Sequence, residues 1–372
     1  HRDLHSFPTR RSSDLDTIIS SLKGGLSVSV INIIGTLMTY FIIMLYVGHI
    51  VNYTTLSVLS ATAMSFINFI DYFGKIDLTA PFTEAFRNGK QHLSRYYIAQ
   101  IWKYWGYVNG AMLFTFVAFL DLLAQTILAI PGLEDYALIG FFLLPAWIYK
   151  FFLPLAEQGD TIIVSSRKLK QFQIFRIIEE ILKIAWVYIL FYVLKWHLQG
   201  ITAVAYVLII AGAFPQWIKD LIDWIYIKKY LISYQIPIWQ SIIAPFLSGS
   251  IVYFIITFLL KYIHPFLLHQ FGVLGAGIMI IVVTLIVFPP IIFPFFYGLL
   301  GGWDDFGLKV FQKSASISGP SRIFYNAGAK LTTWAAKHSF LTNKFAIPFR
   351  EAEEEIQALM EIKKNRPLEK KM

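Results

Sequence analysis

The sequence predicts an all-α protein, a polytopic transmembrane helical bundle of about eight spans with both termini cytoplasmic. Three observations predict it. First, 56% of the 372 residues are hydrophobic and the mean hydropathy is +0.59. A soluble domain of this length needs more polar residues than that to cover its outside. Second, only 15% of residues are charged, and they cluster between apolar runs of about 20 residues, the length that crosses a hydrocarbon core. Third, the loops between those runs carry lysine and arginine on one side only, with Lys195 and Lys261 at helix ends beside two of the other loops.

The elements follow in chain order. Residues 1–15, HRDLHSFPTRRSSDL, are polar, carry Arg2, Arg10 and Arg11, and lack the apolar centre of a signal peptide. They resemble a translated sequencing adapter and are set apart as an artefact, with the protein's own sequence expected from Asp16 and further residues expected before it. The transmembrane domain covers 16–301, with spans near 25–48, 55–73, 97–123, 136–157, 177–196, 201–227, 241–263 and 272–301. The second span has Thr, Ser and Asn at many positions, so it is expected to face other helices or water instead of lipid. Residues 302–372 form a basic cytoplasmic tail with a terminal helix.

Orientation comes from the loops. Lys75, Arg87, Lys90 and Arg95 follow the second span; Arg167, Lys168, Lys170 and Arg176 follow the fourth; Lys228 and Lys229 follow the sixth. The alternate loops, near 50–54, 124–135, 198–200 and 265–271, contain neither Lys nor Arg. The basic loops are therefore expected in the cytoplasm and the chain in the plasma membrane as a multi-pass protein. Trp102, Trp105, Trp196, Trp239 and Trp303 lie near span ends, where an aromatic belt belongs. Asn52-Tyr53-Thr54 is a glycosylation pattern too close to the membrane to be used. The net charge of +9 is explained by this topology, so no nucleic-acid partner is expected.

In the tail, Lys309, Lys313, Arg322, Lys330 and Lys337 interleave with Phe306, Phe311, Phe324 and Trp334. That mixture suits a segment lying on anionic inner-leaflet lipids. The terminal helix, near 349–365, has Glu351, Glu353, Glu354 and Glu355 at its start, with Lys363, Lys364 and Arg366 toward its end. This order complements the helix dipole; a plain stabilised tail explains it, and a regulatory or interaction helix is the alternative.

Absences narrow the chemistry. Without cysteine there is no disulfide, Cys-ligated zinc or thiol nucleophile. There is no GxxxxGK[ST] phosphate loop and no HExxH, and Gly272, Gly275 and Gly277 lie in an apolar run rather than a dinucleotide fingerprint. His49, His197, His264 and His269 are dispersed over separate span ends. No metal, no cofactor and no enzymatic activity are expected. What remains are polar residues and prolines within spans. Asn109 lies mid-span beside Gly110, and Pro145, Pro215, Pro245, Pro289, Pro290 and Pro294 fall within four spans. A proline frees backbone groups that neighbours or cavity water must satisfy, and broken helices of this kind line cavities in transporters. The plain alternative is that proline is common in membrane helices.

Charges crowd the cytoplasmic span ends. Asp71–Lys75, Glu179–Lys183 and Lys219–Asp223 are spaced i,i+4, so each can close on one helix face. With Glu157, Glu180, Asp220 and Lys150 they outline an inner gate or head-group vestibule, or else merely anchor interfacial ends. Lys150 lies deeper than the rest and needs a partner or a wet cavity. The substrate-cavity candidates are Asn109, Lys150, Lys183, Glu179 and Asp71, with no catalytic residue among them.

Three segments carry a resemblance. Thr79 to Lys90, TAPFTEAFRNGK, follows a span and leads through Tyr96-Tyr97-Ile98 into the next. It resembles a cytoplasmic loop of the multidrug/oligosaccharidyl-lipid/polysaccharide exporter superfamily, where a short xEAxxxGx helix precedes a re-entering helix. The stretch from Gly159-Asp160 through Arg176 into Ile178-Glu179-Glu180-Ile181-Leu182-Lys183 is similar to the basic linker between the fourth and fifth helices of a lobe. Tyr230 to Pro245, with YQIPIWQSIIAP, looks like the approach to two extra C-terminal helices of polysaccharide-type members.

The resemblance covers residues 16–300. It implies a second lobe plus two helices of a two-lobe, alternating-access fold, and a flippase for a polyprenyl-diphosphate-linked oligosaccharide or polysaccharide precursor. Lys150 and Lys183 would then hold the diphosphate as point charges. Two alternatives stay open. One is a cation-coupled drug or metabolite exporter of the same superfamily, for which Asp121 is the nearest acidic candidate. The other is a membrane-embedded glycosyl or acyl transferase, for which Asp220 and Asp223 are the best offer.

Overall fold

The computed structural model describes residues 29–30, 32–38, 41, 78–133, 140–196, 201–317, 319 and 322–365. Asp71, Lys75, the second span, the Asn52-Tyr53-Thr54 pattern and residues 1–15 lie outside the described residues, as does most of the first span. Among the described residues every regular element is helical and none is a strand. The protein is all-α, as expected.

After a short helix α1 (Thr79–Arg87), α2 (Gln91–Leu128) is the central helix of the bundle. The chain returns through α3 (Gly140–Phe151) and α4 (Leu153–Ser165), goes out again in α5 (Leu169–Tyr188) and back in α6 (Ile201–Tyr226). Ring contacts fix the antiparallel pairing. Trp147 of α3 stacks on Phe116 of α2, while Phe151 meets Trp105. Phe214 of α6 packs on Trp186 of α5, while Tyr226 meets Phe175.

Next comes α7 (Ala244–Val287), a helical run broken at Gly272, where φ is 68° and ψ is 176°. This conformation is open essentially to glycine alone, and the chain reverses there. Pro245, before the break, and Phe293, after it, both lie against Gly110 of α2. The Tyr297 hydroxyl donates to the Gln240 carbonyl at 2.8 Å, and Trp239 Nε1–H donates to the Leu300 carbonyl at 2.8 Å. The two arms of α7 are thus an out-and-back hairpin whose feet touch. The apolar runs expected at 241–263 and 272–301 fall on the two sides of this break.

Among the described residues, two helical runs, Gln91–Leu128 and Trp239–Leu299, are long and apolar enough to cross a membrane by length and composition. The α7 hairpin presents Phe254, Phe258, Phe266, Phe271, Ile278, Val282 and Ile286 on its outside, all exposed.

Prolines shape the feet of this hairpin. Trp239–Ile243 is a π turn, with the Ala244 N–H bonded to the Trp239 carbonyl. In that register Pro245 has no N–H to offer the Gln240 carbonyl, and Tyr297 supplies the missing donor. Phe288–Ile292, which contains Pro289 and Pro290, is a second π turn and leads into α8 (Phe293–Leu299).

Small residues let these helices approach. A Cβ on Gly106 would stand 1.7 Å from the Ser241 carbonyl oxygen, and one on Gly277 would stand 2.0 Å from Thr126 Oγ1. Gly106 and Gly110 form a GxxxG pattern on α2, the spacing that lets two helix backbones close together.

The tail folds back on the same end of the bundle. It contains α9 (Asp305–Ile317), α10 (Arg322–His338) and α11 (Arg350–Asn365). Gly328 of α10 backs onto the Pro290 carbonyl, where a Cβ would stand 2.3 Å from the oxygen. α11 docks on the start of α2, burying Ala352 and Leu359 with Tyr96 and Leu93.

Candidate functional site

Three helices bring charged side chains together inside the bundle, near the end that carries the basic loops. α6 supplies Lys219, Asp220 and Asp223, all buried; Lys219 is 0% exposed. α4 supplies Asp160. α5 supplies Arg176, Glu179, Glu180 and Lys183. The local sequence explains the placement. α3 ends at Phe151 and α4 starts one residue later with Pro154 in its first turn, so the chain re-aims before Asp160. Gly159, beside Asp160, lies 3.5 Å from Asp223 Cβ as measured from an ideal Cβ, which lets α6 lie close.

Asp160 is the hub. Its Oδ1 accepts from Lys219 Nζ, and its Oδ2 accepts from Arg176 at 2.6 Å. Arg176 also donates to Glu179 Oε2 at 2.8 Å. Lys219 lies 2.8 Å from Asp223 Oδ2, one helical turn on, and 3.8 Å from Asp220 Oδ1. The expected Lys219–Asp223 pair is therefore present, as an ion pair without aligned hydrogen-bond geometry, because both Asp223 oxygens are buried without a hydrogen-bond partner. Both Asp220 oxygens and Glu180 Oε2 share that condition.

The expected Glu179–Lys183 pair is replaced by two i,i+3 contacts. Glu179 turns to Arg176, and Lys183 lies 3.6 Å from Glu180. The reason is that Arg176 offers two donors at once and already holds Asp160, which draws Glu179 toward it. Glu180 also meets the N-terminal helical stretch, since a Cβ on Gly35 would stand 1.8 Å from its Oε2.

These eight groups comprise five carboxylates and three cations. Burying charges stabilises only where partners and hydrogen bonds are complete, and removing one partner of such a pair costs about 3–5 kcal/mol. The network therefore ties α4, α5 and α6 strongly while leaving carboxylate capacity unfilled. It can hold the helices in one arrangement, and it can accept a proton or a small cation. Among the described residues no three His, Cys, Asp or Glu side chains are grouped so as to hold a metal ion.

The other sequence candidates separate. Lys150 sits in the last turn of α3, half-buried. Asn109 is buried on α2, and its amide donates to the Trp105 carbonyl at 2.9 Å and the Phe151 carbonyl at 3.3 Å. Trp105 Nε1–H joins it at Phe151, at 2.7 Å. Asn109 thus satisfies a backbone carbonyl at the α3–α4 break. Asp121, the acidic candidate for cation coupling, is exposed.

A second buried pair lies at the hairpin feet. Lys103 Nζ is 3.2 Å from Asp304 Oδ2, both buried, and stands over the Trp303 ring at 5.5 Å. Asp304 Oδ1 also accepts the Gly307 N–H at 2.7 Å, capping α9. Burial opposes the charge on Asp304, but Lys103 and the Gly307 amide outweigh it and hold the carboxyl below the usual carboxylate range. Sequence reasoning missed both residues. A lysine within a span is a signal that needs a partner, and an aspartate just before an amphipathic run is a helix-start signal.

Comparison with protein-family models, curated proteins and solved structures finds no match.

Proposed function

We propose that this chain is a polytopic plasma-membrane transporter of flippase type that works by alternating access. The reading takes about eight spans from the apolar runs, oriented by the loop charges, and treats the described bundle as the lipid-embedded part. The single observation that carries it is the buried network centred on Asp160 and Lys219. A fully buried lysine held by carboxylates from two helices, with further carboxylates left unsatisfied, suits a latch that forms in one conformation and opens in another. A purely structural bundle gains little from such a device, because apolar residues of similar volume serve as well or better.

The cargo in this reading is a lipid-linked oligosaccharide or polysaccharide precursor. The test is a flipping assay with the full-length protein in proteoliposomes. Loss of flipping by Lys219→Met with the fold retained supports the latch, and unchanged flipping sinks it. The same assay on Lys150→Ala tests whether Lys150 holds the diphosphate; an unchanged rate removes it from that role.

A second reading, cation-coupled export of a small molecule, is favoured by the excess of carboxylates over cations in the network. Such a site attracts a proton or cation more readily than a diphosphate. Efflux that follows an imposed ion gradient and is lost in Asp220→Asn would favour this reading over the first.

A further inference from the structure

At the foot of the bundle, the first turns of α2, the 232–238 loop and the linker before α11 enclose a groove of about 750 Å³. Arg95 lies on its α2 side. Its Nε is buried and has no hydrogen-bond acceptor, and among the described residues it makes no ion pair. The nearby acidic helix does not serve it. Glu351 is taken by His92 at 2.5 Å, and Glu355 accepts the Leu93 N–H at 2.7 Å. Arg95 also lines an adjoining recess of about 240 Å³ that includes Lys90. Arg95 and Lys90 therefore both line a recess that contains no carboxylate, while Glu351, in the lining of the larger groove, pairs with His92. An arginine with free, fork-shaped donors suits a planar or tetrahedral oxyanion.

The groove also has an apolar wall. Ile238 and Ile243 line it, and with Ile242 and Leu247 they are exposed along the outside of the α7 hairpin. A ligand whose charged end meets Arg95 would thus lay its apolar part along these exposed apolar side chains. Trp239, expected from the sequence near a span end, where interfacial aromatics anchor headgroups, is also in the lining. A free phosphate would use only one end of this surface.

We propose that this groove binds one acidic phospholipid of the inner leaflet, its phosphate on Arg95 with Lys90 beside it and its acyl chains along Ile238, Ile243 and Leu247. The inference rests on the chain being membrane-embedded, and is independent of what it transports. Bound lipid would bridge α2, the 232–238 loop and the tail, making the docking of α11 depend on the lipid around it.

The test is native mass spectrometry of the full chain released from nanodiscs containing equal phosphatidylglycerol and phosphatidylcholine. Preferential retention of one phosphatidylglycerol is expected, with the preference falling about tenfold or more in Arg95→Gln and partly kept in Arg95→Lys. In a parallel arm, phosphatidylglycerol should raise the unfolding temperature of the unmodified chain and leave that of Arg95→Gln unmoved. Equal retention of both lipids overturns the proposal, as does a preference that survives Arg95→Gln. Equal stabilisation by inorganic phosphate alone overturns the lipid assignment in favour of a phosphate site. A chain that does not enter nanodiscs sinks the membrane reading and this proposal together, whereas a chain that enters and binds lipids indiscriminately sinks this proposal alone.

Discussion

Lys219 and Asp304 show how a buried charge acts at the scale of one residue. Lys219 has carboxylates on two helices around it, so Lys219→Met leaves Asp223 buried without a cation and Asp160 with Arg176 alone. Stability should fall by about 3–5 kcal/mol, read from chemical unfolding in detergent; a loss under about 1 kcal/mol would mean that water or another cation already neutralises the site. Asp304 behaves differently because it also caps α9. Its folded-state carboxyl titrates below its unfolded value. The stabilisation is therefore fully present above the ordinary carboxylate range and is lost as pH falls through the lower, folded value. Between pH 7 and 5 the contribution of Asp304 to the unfolding midpoint should stay constant, and below about pH 4 it should drop. Asp304→Asn should lower the midpoint at neutral pH and flatten that acid-side drop, and a variant titrating like the unmodified chain would refute the assignment.

At the scale of elements, the α2–α7 seam depends on having almost no side chain. Gly106 meets the Ser241 carbonyl and Gly277 meets Thr126 at distances no Cβ tolerates. Gly106→Val or Gly277→Val should cost about 1–3 kcal/mol through overpacking, and disulfide trapping of engineered pairs across the seam should slow. Gly272 acts through its backbone instead, since nothing lies within 4 Å of a Cβ there. Gly272→Ala should still destabilise by about 1–3 kcal/mol, from the positive φ alone. An unchanged midpoint in Gly272→Ala would mean the hairpin turn relaxes to another conformation. The reversal was legible in the chain as a gap between two apolar runs. Which helix Gly106 would face was not, because α2 and α7 are more than a hundred residues apart.

For the whole molecule, the acidic start of α11 has a partner the sequence did not show. Four glutamates near a helix N-terminus read as self-complementing charge. In the fold, Glu355 instead satisfies an N–H at the start of α2, and Glu351 holds His92 there. The positive end of one helix is capped by the acidic end of another. Glu355→Gln with Glu351→Gln should release α11, seen as faster limited proteolysis after Lys344 with the bundle intact; unchanged cleavage would show that Ala352 and Leu359 hold it by apolar burial alone.

The sequence by itself determined the helical class, the runs of α2 and the α7 hairpin, and the one-sided distribution of basic residues, because these follow from local periodicity, length and composition. It also placed Lys219 and Asp223 one turn apart on one face. Only the tertiary structure decided that Asp160 and Arg176 complete their network, that Glu179 turns away from Lys183, that Asn109 serves a broken helix, and that Lys103 meets Asp304. Those are contacts between helices distant in the chain. Charge pairing between helices is set by the rotation and tilt of each one, and these depend on prolines, glycines and packing acting together rather than on any local pattern.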